Sequence, residues 1–299
     1  MSAARRDSRH AAPPLEHPLS QGDFQAFRDL IHRETGINLA DHKRALLVSR
    51  LHSRLRALAL DSFREYFDMV RSDSAELTEM IDRICTNETH FFREPKQFEF
   101  LEHRVFPEWQ AAAEAGRRTR RVRVWSAGCS TGEEPYSIAM AFLSRFPPSS
   151  GWEIDILATD LSTRVLDRAR AAVWPIEKAR EIPSHFLSAF MLRGTGSQEG
   201  RMKAGPAVRS VVRFQRTNLN AEPFPLSGRF DLVLCRNVLI YFDASSKTRV
   251  LGRLLDHLEP HGHLLLGHAE SVTGMNDRMR SVGPTVYVHA HQKGRMIRC

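Results

Sequence analysis

The second part of the chain alternates short apolar runs with helical patterns, from about residue 120 to residue 288. The strand-like runs are residues 122–125, 154–157, 211–214, 231–234, 262–266 and 285–288. Helical patterns lie between them at residues 133–146, 162–173 and 248–258. Strands that alternate with helices form parallel sheets whose two faces are covered by the connecting helices. The pattern therefore predicts an α/β fold with a doubly wound, mostly parallel sheet.

The first part of the chain has helical periodicity and no strand pattern. Apolar residues recur at helical spacing between Phe24 and Ile31 and again between Leu47 and Leu58. We therefore expect an all-α domain at residues 21–85. The other expected divisions are a disordered segment at 1–20, a linker helix at 86–118, an α/β domain at 119–291 and a basic tail at 292–299. Residues 193–209 are too long for a plain connection and predict an insertion with its own turns.

Composition excludes several classes of protein. No apolar run approaches the ~18 residues of a membrane-spanning helix, and the N-terminal arginines precede no apolar segment of the secretory type. The cysteines form no CxxC pair and have no histidine at metal spacing, so we expect neither a disulfide framework nor a zinc site. Reduced thiols favour a cytoplasmic location. The formal net charge of +8 favours an acidic partner, whether nucleic acid, anionic membrane or protein.

A loop of small residues follows the first predicted strand, and a helix begins directly after it. Gly128 and Gly132 allow the backbone of this loop to turn tightly and to approach a ligand. In open α/β sheets, ligands bind beyond the carboxyl ends of the strands. Asp160 ends the second strand, where a carboxylate can accept both ribose hydroxyls of an adenosine ligand. Glu134, in the first helical turn, is a second polar candidate, although a helix-dipole role would also explain it.

Polar residues also follow the third and fourth strands. Asn218 and Leu219 come just after the third strand, where they could contact an adenine edge. Asn237 and Tyr241 fall beyond the fourth strand, at the same edge of the sheet. Upstream, the segment Thr86–Arg93 places two phenylalanines beside Asn, Thr and Arg, a composition that suits a lid over a ligand.

These blocks resemble one family in their order and spacing. The matching blocks are TNETHFFRE, RVWSAGCSTGEEPYSIAMA, ATDLS, LCRNVLIYFD and the Gly-His-Ala-Glu before Ser271. Together they are similar to the CheR family, the glutamate O-methyltransferases of chemotaxis receptors, of the type tethered by a receptor pentapeptide. The resemblance implies a Rossmann-like class I methyltransferase domain, a small β subdomain at about 193–212 and an all-α N-terminal domain. One departure is local, because Gly128 and Cys129 stand where many relatives carry Ala-Ala.

The resemblance also implies a cofactor and its site. The cofactor is S-adenosylmethionine, the product is S-adenosylhomocysteine, and no metal is expected. The implied cofactor contacts are Asn87, Thr89, Arg93, Glu134, Asp160, Asn218, Leu219, Arg236 and Asn237. Arg93 and Tyr241 are the implied catalytic residues beside the reacting methyl group. A glutamate carboxylate is already ionised at neutral pH, so an arginine that grips it would suffice without a general base.

Two partner surfaces are expected. Lys43, Arg50 and Arg54 recur at helical spacing and predict a basic stripe that docks on acidic receptor helices, although a solvated edge would look the same. The glycines at 194, 196 and 200 resemble the β-subdomain loop that binds a receptor C-terminal pentapeptide, and a ligand-free surface hairpin is the alternative. We expect a monomer that binds no nucleic acid and does not insert into membranes.

Other interpretations remain open. A nucleic-acid methyltransferase would suit the net charge and the basic run at 117–123, although a Pro-Pro-Tyr or Pro-Cys motif for base methylation is absent. A non-catalytic adaptor could keep S-adenosylmethionine only as a sensed ligand, but Arg93 and Tyr241 argue against it. A nicotinamide dehydrogenase is disfavoured because residues 129–131 interrupt the GxGxxG fingerprint.

Overall fold

The structure, a computed structural model, describes residues 18–270, 272 and 277–290. Nearly all of the segment expected to be disordered at 1–20, and the basic tail at 292–299, therefore lie outside the described residues. The chain divides into two compact units. One comprises Leu39–Ile84 and the described part of Met1–Ile31, and the other comprises His32–Asn38 and the described part of Cys85–Cys299.

The first unit is all-helical, as the sequence predicts. Its helices are α1 (Gln21–Thr35, whose last residues belong to the second unit), α2 (Arg44–Ala57), α3 (Phe63–Ser72) and α4 (Ser74–Ile84). The hydroxyl of Ser62 accepts the amide of Glu65 at 3.2 Å, so a serine cap fixes the start of α3. Phe27 meets Phe67 edge to face, with ring centroids 5.1 Å apart, in the core of this unit.

The arginines of the predicted basic stripe have partners inside this unit. Arg54 donates to Glu76 at 2.9 Å, and the hydroxyl of Tyr66 donates to the same carboxylate at 2.8 Å. Burial would raise the pKa of Glu76, but the hydrogen bonds from Arg54 and Tyr66 hold it below its ordinary value. Arg50 donates to the carbonyl of Ile84 at the end of α4. Of the three stripe residues, only Lys43 is exposed. Arg50 and Arg54 are partly buried because their guanidinium groups bind partners within the unit.

The second unit contains the predicted doubly wound sheet. Its strands are β1 (Arg121–Ala127), β2 (Glu153–Asp160), β6 (Val212–Arg216), β7 (Phe230–Cys235), β8 (Leu258–Leu266), β9 (Met279–Gly283) and β10 (Val286–His289), numbered with β3 to β5 of a second sheet. The order across the sheet is β6-β2-β1-β7-β8-β10-β9. The five strands β6, β2, β1, β7 and β8 are all parallel to one another. Strand β10 is antiparallel to both β8 and β9. The sequence missed β9, because none of its residues is fully buried and they show no apolar run.

Helices cover both faces of this sheet. They are α5 (Pro95–Phe100), α6 (Phe106–Glu114), α7 (Glu133–Arg145), α8 (Thr163–Ala171), α9 (Ser184–Phe190), α10 (Pro206–Ser210) and α11 (Ala244–Asp256). Side chains alternate across β1, so Val122 and Val124 join the core that contains α7, while Trp125 and Ala127 join the core that contains α11. Full burial of a valine side chain, as at Val122 and Val124, stabilises the fold by about 1.5–3 kcal/mol.

A small antiparallel sheet lies between α8 and β6 in the chain. Its strands are β3 (Val173–Pro175), β4 (Met191–Arg193) and β5 (Arg201–Ala204), in the order β3-β5-β4. The sequence placed this subdomain at about 193–212, but its first strand is upstream and Val212–Arg216 belongs to the main sheet. Strands of three or four residues are too short to show an alternating pattern, which is why the boundary was misplaced.

The segment expected to be one linker helix at 86–118 is interrupted. Residues 87–94 are irregular, and a π turn at Leu101–Val105 separates α5 from α6. Phe92 and Glu94 have positive φ angles of 48° and 60°, which no helix contains. Pro107 lies in the first turn of α6 and has no N–H to continue the preceding helical ladder.

Candidate cofactor and active site

The loop after β1 requires glycine at two positions. Gly128 has φ +82°, and a Cβ there would lie 2.4 Å from a methyl of Val238. Gly132 has φ +96°, and its Cβ would lie 3.0 Å from the Cβ of Ala169. The amides of Gly128 and Cys129 both donate to the carbonyl of Thr159, at 2.8 and 2.9 Å. The loop is therefore closed tightly over the end of β2, as the sequence predicts for a ligand-binding turn.

Asp160 lies at the carboxyl end of β2 and is 9% exposed. Its two carboxylate oxygens accept the amides of Ser130 and Ser162, at 2.8 and 2.9 Å. The hydroxyl of Ser162, and not Asp160, caps helix α8 by accepting from Val165. The carboxylate of Asp160 therefore holds the glycine loop and the start of α8 together at the strand end where the sequence predicts a ribose contact.

Arg236 is the centre of a buried charge cluster. Its guanidinium is 2% exposed and lies 3.4 Å from Glu134 and 3.6 Å from Glu94. It also donates to the carbonyl of Arg93. Burial raises the pKa of Glu134, while Arg236 and a 2.7 Å hydrogen bond from Ser126 oppose that shift. The cluster joins β1, α7, the end of β7 and the segment before α5.

Glu270 organises the backbone beyond β7. Its carboxylate accepts the amides of Asn237, Val238 and Leu239, at 2.9, 2.8 and 2.6 Å, and that of Gly267 at 2.6 Å. Asn237 has a positive φ of 59°, and its buried Oδ1 has no hydrogen-bond partner within the described residues. The sequence identified Gly-His-Ala-Glu as a block but assigned Glu270 no role. An acidic residue just beyond a strand end was the available signal.

At the end of β6, the side chain of Asn218 bonds to backbone groups of the same unit. The side-chain amide of Asn218 donates to the carbonyl of Glu34 at 2.6 Å and accepts the amide of Asn220 at 2.9 Å. Both polar atoms of the Asn218 side chain are therefore hydrogen-bonded to backbone groups. Leu219 is buried. The buried hydroxyl of Thr217, which the sequence did not single out, has no hydrogen-bond partner in the described part of the chain.

Tyr241 is held through its backbone. It ends a 3-10 helix at Leu239–Tyr241, and its carbonyl accepts the amide of Asn38 at 2.8 Å. Ile37 forms a β-bridge with Phe242, and His32 lies 2.7 Å from the carboxylate of Asp243. The short segment His32–Asn38 belongs to the same compact unit as Tyr241 and fixes the loop that carries it.

The predicted lid segment adjoins the glycine loop. The hydroxyl of Ser130 donates to the carbonyl of Asn87 at 2.9 Å. The carbonyl of Thr89 accepts the ammonium of Lys178 at 2.8 Å. Arg93 is partly buried and follows two phenylalanines. Predicted residues from four separate parts of the chain are thus linked to one edge of the sheet.

The polar groups at this edge fit an adenosine-type cofactor. Asp160 offers a carboxylate at one strand end. Thr217 Oγ1 and Asn237 Oδ1, which have no hydrogen-bond partner among the described residues, lie just beyond two others. Buried polar atoms without a protein partner are costly and indicate a ligand or water. Among the described residues, no group of three or more His, Cys, Asp or Glu side chains could hold a metal ion.

Comparison with known proteins identifies the family. The model of the family described as "CheR methyltransferase, SAM binding domain" matches residues 87–288, and that described as "CheR methyltransferase, all-alpha domain" matches residues 22–85. "Chemotaxis protein methyltransferase 2" of Pseudomonas aeruginosa is 39% identical over 91% of this chain and 94% of its own length. "Chemotaxis protein methyltransferase" of Escherichia coli is 38% identical over 90% of this chain and 91% of its own length.

Among solved structures, the glycopeptide N-methyltransferase MtfA with bound S-adenosyl-L-homocysteine is 21% identical, covering 60% of this chain and 58% of its own. Its TM-score of 0.31 is too low to carry an argument. The assignment rests instead on the two family models, which together span nearly all of the described chain, and on the relatives that match along most of their length. The chain belongs to the CheR family of S-adenosylmethionine-dependent methyltransferases.

Proposed function

We propose that this enzyme transfers the methyl group of S-adenosylmethionine to glutamate side-chain carboxylates of chemotaxis receptors, which become methyl esters. The proposal is supported by relatives that are named chemotaxis protein methyltransferases and match along most of the chain. The observation that carries it is the site itself. Arg93, Arg236 and Asp160 belong to one connected set of contacts beyond the carboxyl ends of parallel strands.

The proposed cofactor contacts are those implied by the resemblance. They are Asn87, Thr89, Arg93, Glu134, Asp160, Asn218, Leu219, Arg236 and Asn237. The geometry supports Asp160 for the ribose and the Asn237 Oδ1 as a free acceptor. At the end of β6, the side chain of Asn218 is engaged, so we assign the contact there to its backbone and to the hydroxyl of Thr217.

The proposed methyl transfer needs no acid–base catalysis by the protein. The cofactor supplies an electrophilic methyl group on its sulfonium. A glutamate substrate with a pKa near its ordinary value of about 4.3 is ionised at neutral pH and needs no general base. Arg93 would hold the carboxylate by charge-assisted hydrogen bonds, and Tyr241 would lie beside the reacting methyl. The remaining requirement is alignment, which positioned groups provide by converting an encounter into a near-attack geometry.

Receptor docking is proposed for the first unit. The sequence predicts that Lys43, Arg50 and Arg54 dock together on acidic helices. Because Arg54 is paired with Glu76 and Arg50 is engaged at the end of α4, we assign the larger electrostatic share to Lys43. An exposed charge of this kind accelerates encounter more than it adds affinity.

The pentapeptide tether is proposed for the small sheet. Strand β4 lies at its edge, and Leu192 on that strand is 52% exposed. Gly196 and Gly200 have positive φ angles, and a Cβ on Gly194 would lie 2.0 Å from the carbonyl oxygen of Gln198. The glycines therefore permit the tight turn between β4 and β5. An extended peptide can pair with such an edge strand and raise the local concentration of substrate.

The location and assembly remain proposals. Within the part of the chain that the structure describes, no helix is both long enough and apolar enough to cross a membrane. We propose a cytoplasmic monomer. The nucleic-acid alternative loses support because two arginines of the basic run have structural roles. Arg118 lies over the ring of Trp109 and pairs with Asp231, and Arg123 donates to the carbonyls of Ser227 and Arg229.

The test is methyl transfer from labelled S-adenosylmethionine to receptor cytoplasmic domains. We expect label on the receptor that mild base releases as methanol, because esters hydrolyse readily whereas methylated amines do not. A receptor with its candidate glutamates changed to alanine is the matched control. Label that resists base, or that appears on added nucleic acid instead of receptor, would overturn the proposal.

A further inference from the structure

The backbone that precedes Arg93 is fixed by side chains from other elements. The hydroxyl of Ser130 donates to the carbonyl of Asn87, and the amide of Phe92 donates to the hydroxyl of Ser137 at 2.9 Å. Two further contacts come from a different region, the 3-10 helix at Ile176–Glu181 that directly follows β3 of the small sheet. Both contacts are made to the backbone between residues 89 and 91.

Lys178 and Glu181 make those two contacts. The ammonium of Lys178 donates to the carbonyl of Thr89 at 2.8 Å and to the carboxylate of Glu133 at 2.6 Å. One oxygen of Glu181 accepts the amide of Phe91 at 2.9 Å, and the other lies 3.2 Å from the ring of His90. Hydrogen bonds in which one partner is ionised are roughly twice as strong as neutral ones.

The backbone they hold is strained. Phe92 and Glu94, on either side of Arg93, have φ angles of 48° and 60°. Such conformations cost on the order of 1–3 kcal/mol each for residues other than glycine and persist only where surrounding contacts enforce them. If the contacts at Thr89 and Phe91 were removed, the segment could relax. The backbone of Arg93 would then no longer be held in one position.

We propose that Lys178 and Glu181 are positioning residues for methyl transfer, which hold the 89–92 backbone so that Arg93 is presented to the substrate carboxylate. The inference rests on the proposed catalytic role of Arg93. Neither residue touches the reacting atoms, so the effect passes through Arg93. Because a small displacement of a positioned group lowers the rate more than it weakens ground-state binding, kcat should fall while the binding constants change little.

The principal variants are Lys178→Met and Glu181→Ala, studied in the full chain with a receptor cytoplasmic domain as substrate. We expect kcat to fall at least about tenfold, with the receptor KM and the Kd of S-adenosylhomocysteine within about threefold of the wild type. Lys178→Arg should recover most of the rate, because an arginine can still donate to Thr89 and Glu133. Glu177→Gln and Arg180→Met, exposed positions on the same 3-10 helix, are the controls and should behave as wild type.

A second measurement does not depend on activity. Amide hydrogen exchange should accelerate at Phe91 and Phe92 in both principal variants, while the amides of β1 and β2 keep wild-type protection. Loss of Lys178 also leaves Glu133, which is 1% exposed, without its cationic partner, although the hydroxyl of Thr131 still donates to it. The double variant Lys178→Met, Glu133→Gln removes that buried charge. It should regain wild-type unfolding stability but keep the low kcat.

The outcomes separate this inference from the proposed function. If Arg93→Ala retains turnover within about tenfold of the wild type, a difference of ~1.4 kcal/mol, the catalytic role of Arg93 fails and this inference fails with it. If Arg93→Ala is inactive but Lys178→Met and Glu181→Ala keep the wild-type kcat and exchange, only the positioning role is overturned. Recovery of kcat together with stability in the double variant would assign Lys178 to folding alone and would also overturn it.

Discussion

The site depends on side chains that hold its backbone. Arg236 does so at Arg93, and Glu270 does so at the turn beyond β7. Arg236 brings its guanidinium to the carbonyl of Arg93 and lies between two buried carboxylates. Glu270 accepts three amides at the turn that carries Asn237 and a fourth just beyond β8. Removing one partner of a buried ion pair costs about 3–5 kcal/mol, because the other charge is left buried without compensation. The residues around the reacting groups are therefore as sensitive to substitution as those that meet the ligand.

Replacing Asp160 tests the cofactor site. Asp160→Ala should weaken S-adenosylhomocysteine binding by about 2–3 kcal/mol, or roughly 30- to 150-fold, because charged hydrogen bonds to the ribose are lost. Isothermal titration calorimetry measures the change. Asp167→Ala, at a carboxylate that is 75% exposed on the next helix, is the control and should bind normally. Equal affinity in the two variants would remove Asp160 from the site.

Replacing Glu270 tests the turn beyond β7. In Glu270→Gln, an amide NH₂ replaces one oxygen, so two backbone amides lose their acceptor. We expect a loss of about 2–4 kcal/mol in the free energy of unfolding, measured in urea, together with weaker S-adenosylhomocysteine binding. Glu259→Gln on β8 is the control. An unfolding midpoint like that of the wild type would show that Glu270 does not organise the turn.

At the scale of elements, α2 illustrates how one helix face can have a different role from the one its charges suggest. Its basic residues are regularly spaced, yet Arg54 is directed to a carboxylate on α4 and Arg50 to the last carbonyls of that helix. The three-helix contact joins α2, α3 and α4 through one buried glutamate, because Tyr66 on α3 shares Glu76 with Arg54. The pairing fixes the mutual orientation of these helices within their own unit.

Replacing Arg54 should destabilise that unit in a pH-dependent way. In the wild type the pKa of Glu76 is held below its ordinary value, so its contribution is present at neutral pH and is lost as the pH falls through that lowered pKa. In Arg54→Met, burial dominates and raises the pKa, so stability falls as the pH rises. The variant should therefore lose about 1–3 kcal/mol at neutral pH and less near about pH 4.

Amide hydrogen exchange of α2 to α4 measures this loss, because it reports on the unit that contains the pair. Arg56→Met, at an exposed position on the same helix, is the control and should show wild-type exchange at both pH values. A cost in Arg54→Met that is the same at both pH values would contradict the ionic pairing with Glu76.

At the scale of the whole molecule, the order of the strands determines which parts of the chain can cooperate. Strand β1 lies between β2 and β7 in the parallel sheet, so the loops after these strands open at the same edge. The small sheet interrupts the connection between α8 and β6, and its 3-10 helix returns to the segment before Arg93. The insertion therefore has β4 at one edge of its sheet, and its 3-10 helix contacts the segment before Arg93.

Titration of an acidic pentapeptide that contains aromatic residues tests the tether. We expect NMR shifts confined to residues near 191–204, because the peptide pairs with β4, and an unchanged Kd for S-adenosylhomocysteine. A peptide of the same composition in scrambled order is the control. Absence of shifts at about millimolar peptide, a concentration at which even a weak site would be occupied, would reject a tether for this class of peptide.

The sequence by itself was sufficient for the elements with strong local signals. Apolar runs such as that around Leu232 predict buried strands, and the spacing of Leu47, Leu51 and Leu55 predicts α2, because local periodicity reports directly on burial. It also placed Asp160 and the glycine loop at strand ends, and its family resemblance to CheR is confirmed. The strand and helix signals each lie within about ten consecutive residues, whereas the resemblance depends on the order of blocks between residues 86 and 270.

Only the tertiary structure determined the boundaries of the short strands and the partners of individual side chains, because both depend on residues far away in the chain. The small strands β3 to β5 are stabilised by pairing rather than by pattern, so their boundaries were missed. The side-chain amide of Asn218 donates to the carbonyl of Glu34, and the guanidinium of Arg54 pairs with Glu76, and neither partner is visible from local sequence. Lys178 and Glu181 have no local signature, because what they hold lies about ninety residues earlier. A side chain's partner is a property of the fold, and sequence spacing does not contain it.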